Sequence, residues 1–381
     1  MRVPHDLKPT AWARARAARG VVPYDLTVSN PTECELPYPH SLLDPLRDPA
    51  ALRYRPDPKG LRSAREAVAR EYAARGVTID PERIVLTASS SESYGFLFKL
   101  LCDAGDAVLV PTPSYPLFEH LASLDCVKVV RFALDPANGW QPHPPDRVDA
   151  DKVRAAILVH PNNPTGSWVE TAAAEKLAAC LGTGKIPLIV DEVFLDFALG
   201  RDAHPVTFAT RFAGLTFTLG GLSKSRGLPQ LKLSWIVVSG PESEVTAALE
   251  SLAFIGDSYL SVGTPVQDAL PELLVRAAPV RDAILSRCRE NLALSLRMAG
   301  AFPGVELLEP GGGWSAVLRF PRVISEDELV LELLERHGVA VYPGYFFDFA
   351  AEGYLVVSLL APPGTFSVGI KRVLDTIASR L

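Results

Sequence analysis

Seven short runs of apolar, β-prone residues alternate with helix-length segments through the middle of the chain. The runs lie at residues 84–87, 107–110, 127–132, 155–159, 187–190, 215–219 and 235–239. Uninterrupted apolar runs suit strands that are covered on both faces, because a strand with one face in water would alternate apolar and polar residues. Strands separated by helices favour a parallel sheet with helices on both sides. The sequence therefore predicts an α/β fold with a mostly parallel sheet.

The pattern changes after about residue 275, where a long charged segment leads to three consecutive glycines. Strands are then expected at residues 315–320, 339–341 and 354–359, alternating with helices, which predicts a smaller α+β unit. A chain of 381 residues is too long for one ordinary core, and its proline-rich opening cannot form long helices. We expect an N-terminal segment that packs with the small domain, a large domain and a small C-terminal domain, at residues 1–45, 46–275 and 276–381.

Charge and cysteine content narrow the class of protein. The formal net charge is −6, and basic residues are interleaved with acidic and apolar ones, so no footprint for nucleic acid or an anionic membrane is expected. The five cysteines are odd in number, widely spaced and without a C-x-x-C pair, which argues against a disulfide framework and a zinc site. The opening residues lack the apolar stretch of a signal peptide. We expect a cytoplasmic protein that binds small molecules and no metal.

Polar residues follow several of the predicted strands. Asp191 follows the run at 187–190, the loop 160–166 follows another run, and the serines at 89–91 follow a third. The carboxyl ends of strands in an open α/β sheet border the binding crevice. Lys224 lies in a Gly/Ser-rich loop just after the run that ends at residue 219. A buried carboxylate needs a cation, and a desolvated lysine is a nucleophile. Together they suit pyridoxal 5'-phosphate (PLP), whose ring nitrogen is cationic and whose aldehyde condenses with an amine.

The serine cluster has two explanations. Ser89 and Glu92 have the S-x-x-E spacing of a capping box that opens a helix at residues 92–101. Ser90 and Ser91 could also offer hydroxyl and backbone N–H groups to a phosphate, because a helix N-terminus carries unpaired donors. Both explanations can hold at once.

The other signals also have ordinary structural explanations. Asn163 precedes Pro164 in an Asn-Pro-Thr-Gly sequence that favours a turn by itself. Asp191 could be a polar strand end that is hydrogen-bonded to a loop, and a single lysine such as Lys224 is most often a solvated surface charge. Each signal taken alone is therefore weak.

Five short motifs occur in a fixed order over nearly the whole chain. They are Tyr54 to Arg62, Pro113-Ser114-Tyr115, Asn163-Pro164-Thr165-Gly166, Asp191-Glu192-Val193-Phe194 and Ser223-Lys224. In this order they resemble the motifs of the class I/II aminotransferases, the aspartate aminotransferase-like enzymes of PLP fold type I. The resemblance implies a large domain with a mostly parallel seven-stranded sheet flanked by helices, and a smaller α+β C-terminal domain.

The resemblance also implies roles for single residues. Lys224 would carry the Schiff base with PLP, Asp191 would pair with the pyridine nitrogen, Asn163 would hydrogen-bond the phenolic oxygen, and Tyr115 would stack on the ring. The phosphate would be bound by Ser90, Ser91, Ser223 and Tyr54 of the partner subunit. That last role implies a homodimer with shared active sites.

Two cofactor positions differ from the family pattern. Phe194 stands where the family usually has a tyrosine whose hydroxyl donates to the phenolic oxygen. Without that donor the anionic form is less stable, so we expect a higher pKa for the lysine-bound cofactor than is usual in the family. Lys232 replaces the usual phosphate-binding arginine. Lysine keeps the positive charge but lacks the planar guanidinium group that donates two parallel hydrogen bonds to a phosphate.

The largest difference is at Val356, which stands where the family commonly has the arginine that binds the substrate α-carboxylate. Valine cannot bind a carboxylate. Three alternatives stay open: Arg226 or Arg319 takes over this role, the substrate is not a simple α-amino acid, or the site has lost activity.

The leading hypothesis is a PLP-dependent aminotransferase that moves an amino group from an amino donor to a carbonyl, 2-oxo acid-like acceptor. A PLP-dependent lyase or decarboxylase acting on an amino-acid-like substrate is the first alternative. A PLP-binding protein with reduced activity and a structural or regulatory role is the second. Both alternatives gain weight from the missing arginine.

Overall fold

The computed structural model describes residues 8–144, 148–149, 151–182, 186–200, 205–323 and 325–381. The expectation about a signal peptide falls mainly on residues 1–7, which lie outside this set. The α-helices are α1 Ala11–Arg19, α2 Arg62–Ala74, α3 Ser90–Leu101, α4 Leu117–Leu124, α5 Thr171–Cys180, α6 Leu222–Ser225, α7 Glu242–Tyr259, α8 Thr264–Arg276, α9 Ala278–Ala299, α10 Glu326–His337 and α11 Pro363–Ala378.

The strands are β1 Tyr24–Asp25, β2 Ile84–Thr87, β3 Ala107–Thr112, β4 Lys128–Asp135, β5 Gln141–Pro142, β6 Val153–Val159, β7 Leu188–Asp191, β8 Thr216–Gly221, β9 Ser234–Ser239, β10 Glu306–Leu308, β11 Ser315–Arg319, β12 Val339–Ala340, β13 Tyr342–Pro343 and β14 Tyr354–Ser358. Short 3-10 helices occupy Pro31–Glu33, His40–Arg47, Pro49–Leu52, Pro81–Arg83, Pro136–Asn138, Pro229–Leu231 and Gly344–Phe347.

The large sheet has eight strands in the order β2-β9-β8-β7-β6-β3-β4-β5. Strands β8, β7, β6, β3 and β4 are parallel to one another, whereas β9 runs antiparallel between β2 and β8, and β5 runs antiparallel to β4. All seven predicted runs form strands of this sheet, and the α/β fold prediction is confirmed. The eighth strand, β5, is a two-residue edge strand that pairs with β4. Two residues are too few to give a recognisable apolar run.

Both faces of the large sheet are covered, as the apolar runs predict. Along β2, Ile84 and Leu86 face a core that includes Leu270 of α8. Val85 points to the opposite face, into a core that includes Phe96 of α3 and Leu252 of α7. Because side chains alternate between the two faces of a strand, both sets must be apolar.

The small sheet is antiparallel, with the order β10-β11-β14-β13. Leu355 and Val357 of β14 belong to the same core as Ile370 of α11. Val356 belongs to a different cluster, with the aromatic rings of Phe347, Phe349 and Tyr354. The face of this sheet that carries Val356 is therefore apolar and aromatic.

The N-terminal segment contacts both parts of the chain. Strand β1 pairs in parallel with β12, and the N–H of Ser358 donates to the carbonyl of Leu26 at 2.7 Å. The hydroxyl of Tyr38 donates to the carbonyl of Gly227 at 2.7 Å, close to the Lys224 loop. Apart from α1, its helices are short 3-10 segments, as the prolines require.

None of the helices in the described part of the chain is long and apolar enough to span a bilayer. The same residues contain no group of three or more His, Cys, Asp or Glu side chains placed to hold a metal ion. The five cysteines are free thiols.

Candidate active site

The predicted polar loops meet at one edge of the large sheet. Strands β3, β6, β7 and β8 are parallel, so their carboxyl ends point the same way. Strand β2 has the same direction, because β9 is antiparallel to both β2 and β8. The segments that follow these ends contain the serine cluster, the Pro-Ser-Tyr motif, the Asn-Pro-Thr-Gly motif, Asp191 and Lys224. The sheet topology thus collects the candidate residues in one crevice.

Lys224 lies in α6, a single helical turn directly after β8. Its Nζ is 5.1 Å from the ring centroid of Trp314 and 5.7 Å from that of Phe194. Burial lowers the pKa of Lys224, and the negative charge of Asp191 opposes that change. A lowered pKa leaves more of the amine neutral near pH 7, and the neutral amine is the nucleophilic form.

Asp191 is the last residue of β7 and is buried. Burial raises the pKa of its carboxyl, while hydrogen bonds and the charge of Lys224 lower it. The Oδ1 atom accepts from the N–H of Val193 at 3.1 Å, and Oδ2 accepts from the hydroxyl of Tyr94 at 2.9 Å. Both hydrogen bonds come from neutral donors, so the carboxylate still favours a cationic partner.

Tyr94 was missed by sequence reasoning. It is buried on α3, and its ring packs against Phe98 and Phe118 while its hydroxyl reaches Asp191. A tyrosine inside an apolar helix looks like an ordinary core residue, and only the packing of α3 against the sheet brings it to Asp191.

Replacing Tyr94 with phenylalanine is expected to lower activity about ten-fold, because a hydrogen bond to a charged carboxylate is lost. The hydroxyl of Tyr94 lowers the pKa of Asp191, so its removal raises that pKa. If activity needs the ionised carboxylate, the acid limb of the pH–rate profile should therefore shift to higher pH in the variant. Tyr72→Phe is the matched control, because its buried hydroxyl contacts Trp235 at 3.4 Å and not Asp191. An acid limb at the same pH in wild type and Tyr94→Phe would contradict this role.

The serine cluster caps a helix, as the first explanation predicts. Ser89 is the N-cap of α3, and its Oγ accepts from the N–H of Glu92 at 3.1 Å. The Glu92 carboxylate accepts from the N–H of Ala88 at 2.5 Å. Ser90 and Ser91 are half-buried at the first two positions of the helix. Their phosphate-binding role stays a prediction.

Two further residues assigned to the phosphate follow β8. Ser223 is half-buried beside Lys224 in the single turn of α6. Lys232 is exposed, adopts a positive φ of 51° and ends the 3-10 helix Pro229–Leu231. Their phosphate-binding roles stay predictions.

The loops that carry Asn163 and Tyr115 are tied together. The side-chain amide of the neighbouring Asn162 donates to the carbonyl of Pro113 at 3.2 Å. The N–H of Ser114 donates to the carbonyl of Phe347 at 2.9 Å, which joins this region to the small sheet. Asn163 is half-buried, and Tyr115 is partly exposed at the crevice.

Tyr54 is the most exposed of the candidate tyrosines. It is 70% exposed, and it lines a groove with Pro58, Gly256 and Leu260. Its phosphate-binding role from another copy of the chain, which the resemblance implies, stays a prediction.

Val356 lies in an apolar setting, and neither arginine proposed to replace it is available. Val356 is 2% exposed. The buried guanidinium of Arg226 donates to Glu71, to Asp196 at 3.2 Å and to the carbonyl of Leu274 at 2.9 Å. Arg319 is half-exposed and pairs with Glu306. The expectation that Arg226 or Arg319 binds the substrate carboxylate is therefore not supported, because both are already paired.

The residues around Lys224 fit PLP. The donors to the buried Asp191 carboxylate are neutral, which leaves a place for a protonated ring nitrogen. The lysine amine lies over two adjoining aromatic rings and has a lowered pKa, which favours the neutral form that condenses with an aldehyde.

Comparison with known proteins agrees with this geometry. The model of the family described as aminotransferase class I and II matches residues 45–365. The alanine aminotransferase of Mycobacterium tuberculosis (strain ATCC 25618 / H37Rv) is 27% identical over 337 residues, which are 85% of this chain and 78% of that protein. The glutamate-pyruvate aminotransferase of Escherichia coli (strain K12) is 28% identical over 345 residues, or 85% and 82%. The solved alanine aminotransferase from Pyrococcus furiosus has a TM-score of 0.86 at 23% identity, covering 97% of this chain and 95% of that one, and shows the same fold.

Proposed function

The chain belongs to the aminotransferase class I and II family, whose members are PLP-dependent enzymes that transfer amino groups, and we propose that it holds PLP as a Schiff base on Lys224. The observation that carries this proposal is the position of the half-buried Lys224 and the buried Asp191 at the carboxyl edge of the parallel strands, where the charge of each shifts the pKa of the other. Enzymes of this family move an amino group from an amino donor to a carbonyl acceptor.

We propose distinct roles for the two charged side chains. The carboxylate of Asp191 would hold a proton on the ring nitrogen of the cofactor, and the hydrogen bond from the hydroxyl of Tyr94 favours the ionised carboxylate. The amine of Lys224, whose pKa burial lowers, would move a proton between the substrate α-carbon and C4′ of the cofactor. When bound, PLP supplies an electron-accepting ring that stabilises the negative charge on that carbon.

The remaining cofactor contacts are proposals that rest on position. Asn163 would hydrogen-bond the phenolic oxygen, Tyr115 would stack on the ring, and Phe194 would pack at the edge of the site. Phosphate binding would fall to Ser90, Ser91, Ser223, Lys232 and Tyr54 of the partner subunit. The meeting of these loops at one edge of the sheet supports the set.

No finding favours the lyase or decarboxylase alternative, and family membership supports an enzyme rather than a binding protein.

We propose small α-amino acids as donors, with alanine and glutamate first, because two relatives carry those names. Val356 opposes this choice, because the charged partner of a substrate carboxylate is missing at that position. Amines without an α-carboxylate are therefore the second substrate class.

A donor-only experiment tests the function and separates these substrate classes. The PLP-loaded protein is mixed with L-alanine, ethylamine, L-glutamate or 4-aminobutyrate, without an acceptor, while the visible absorbance is recorded. An aminotransferase converts its cofactor once and stops, and pyruvate or 2-oxoglutarate reverses the change. Continuous release of ammonia or carbon dioxide without an acceptor would instead indicate a lyase or decarboxylase. Comparing each amino acid with its counterpart that lacks the α-carboxylate shows whether the α-carboxylate contributes to binding.

We further propose a homodimer. Leu52, Phe254 and Leu260 are exposed apolar residues, and Leu260 lines the same groove as Tyr54. Exposed apolar surface can be covered by another protein. A second copy of the chain would cover it and bring Tyr54 of the partner subunit to the phosphate.

Subunit mixing tests the shared site. Tyr54→Ala and Lys224→Ala homodimers are each expected to be nearly inactive. A mixed dimer would contain one site with both an intact Lys224 and an intact Tyr54, so mixing should restore activity. Mixing Lys224→Ala with a second Lys224-deficient variant is the control. If the two parents do not complement each other although a dimer exchanges subunits, Tyr54 does not act across the interface.

Division of the chain and cellular location are also proposed. The two separate sheets support a large PLP-binding domain at residues 46–275 and a small domain at 276–381, with residues 1–45 packing with the small domain. The free thiols of the described cysteines support a reducing, cytoplasmic location.

A further inference from the structure

The three glycines at residues 311–313, here called the glycine crossing, pass close to two other loops and are held there by backbone hydrogen bonds. The N–H of Gly312 donates to the carbonyl of Gly166 at 2.9 Å, and the N–H of Gly313 donates to the carbonyl of Phe197 at 2.9 Å. A Cβ on Gly311 would lie 2.5 Å from Cδ1 of Trp168. The chain can therefore pass this close to Trp168 only without side chains. It then enters β11 through Trp314.

Trp314 lies against the reactive lysine. Its side chain is 4% exposed, and its ring makes edge-to-face contacts with Phe194 at 5.3 Å and Phe197 at 5.0 Å between centroids. The ring lies 5.1 Å from Nζ of Lys224. Trp314 thus forms one wall of the lysine pocket, and the pinned glycines fix its position.

The indole N–H of Trp314 is buried and has no acceptor among the described residues. Trp12 and Trp168 also have unpaired indole N–H groups in that part of the chain, so this feature alone does not mark a site. Only Trp314 of these three is shown with its ring over Lys224. Phe194, the other ring at the lysine, carries no donor. A buried donor beside a reactive amine is expected to meet its acceptor when a ligand binds.

We propose that Trp314 is a ligand-binding residue whose indole N–H donates a hydrogen bond to an anionic oxygen of the ligand held at Lys224. This inference rests on the proposed function. Two sources can supply that oxygen: the phenolic group of PLP or the carboxylate of the substrate. In either case the neutral indole N–H of Trp314 contributes to binding of the ligand.

The test compares wild type with Trp314→Phe, which keeps an aromatic ring and removes the N–H. PLP affinity and the pH titration of the cofactor's visible absorbance are measured without substrate. Binding of 2-methylalanine, which has a carboxylate but no transferable α-proton, is then compared with binding of tert-butylamine, which has neither. Trp168→Phe is the matched control, because it removes an unpaired indole N–H beside the same glycines and should behave as wild type.

The two sources give different results. If the phenolic oxygen is the acceptor, Trp314→Phe weakens PLP binding about ten-fold and raises the pKa of the lysine-bound cofactor. If the substrate carboxylate is the acceptor, those properties stay unchanged and 2-methylalanine binds about ten-fold more weakly while binding of tert-butylamine is unaffected.

Unchanged PLP affinity, titration and 2-methylalanine binding would overturn the role of Trp314 and leave the proposed function intact. A wild-type protein that takes up no PLP would overturn both. Trp314→Leu, which also lacks the donor, provides the same comparison if the phenylalanine variant does not fold.

Discussion

Replacing Lys224 with alanine is expected to abolish amino transfer, with a rate loss of at least about 10³-fold. The variant loses both the amine that condenses with the PLP aldehyde and the base that moves the substrate proton. It should still bind PLP through its other contacts, but more weakly and without the absorbance of a lysine-linked cofactor. Steady-state rates and visible spectra of the PLP-treated protein measure the two losses separately.

Lys371→Ala is the matched control for Lys224→Ala. Lys371 is exposed on α11 and pairs with Asp375 at 2.7 Å, so its loss removes a lysine without touching the crevice. Exposed pairs of this kind contribute little to stability, about 0–1 kcal/mol. Activity of Lys224→Ala that stays near the level of this control would contradict the role assigned to Lys224.

Replacing Asp191 with asparagine is expected to lower the rate of amino transfer about 10²- to 10³-fold. The single side-chain oxygen of asparagine can still accept from the N–H of Val193, and its amide N–H can donate to the hydroxyl of Tyr94, but asparagine lacks the charge that would hold a proton on the cofactor ring. The loss should appear in the rate at saturating substrate, because the charge acts on the reacting cofactor and not on substrate binding.

The thermal stability of Asp191→Asn should stay the same or increase, although its activity decreases. Burial raises the pKa of Asp191, so above its unfolded-state pKa the ionised carboxylate destabilises the fold. The cofactor-free variant should therefore unfold at the same temperature as wild type or higher at pH 7, while Asp375→Asn leaves both activity and stability unchanged. A variant that loses activity only in proportion to lost stability would show that Asp191 is a structural residue.

Most of the large sheet could be predicted from the sequence. Strand β2 has the predicted limits, and the run at 187–190 lies within one residue of β7, because continuous apolar residues leave few alternatives to a buried strand. The short edge strand β5 gave no such signal. Strand β4 extends to Asp135, beyond the run predicted at 127–132, because it pairs with β5 there.

The neighbourhood of Lys224 was only partly predictable. That Asp191 and Lys224 lie at the same sheet edge follows from the rule that the carboxyl ends of parallel strands meet there, and applying the rule needs only the order of the strands. Tyr94 and Trp314 could not be found in this way. The hydrogen bond from Tyr94 to Asp191 depends on how α3 packs against the sheet, and the contact of Trp314 with Lys224 depends on where the glycine crossing is held. The pairing of Arg226 with Glu71 is likewise a contact between distant segments.

Borohydride trapping tests the central claim most directly. The purified protein is incubated with PLP, reduced with sodium borohydride, digested and analysed by mass spectrometry for the peptide that carries a reduced PLP adduct. We predict one adduct, located on Lys224, and its disappearance in Lys224→Ala. A protein that forms no adduct, or forms it at another lysine with Lys224 unmodified, would contradict the assignment of this crevice as a PLP site.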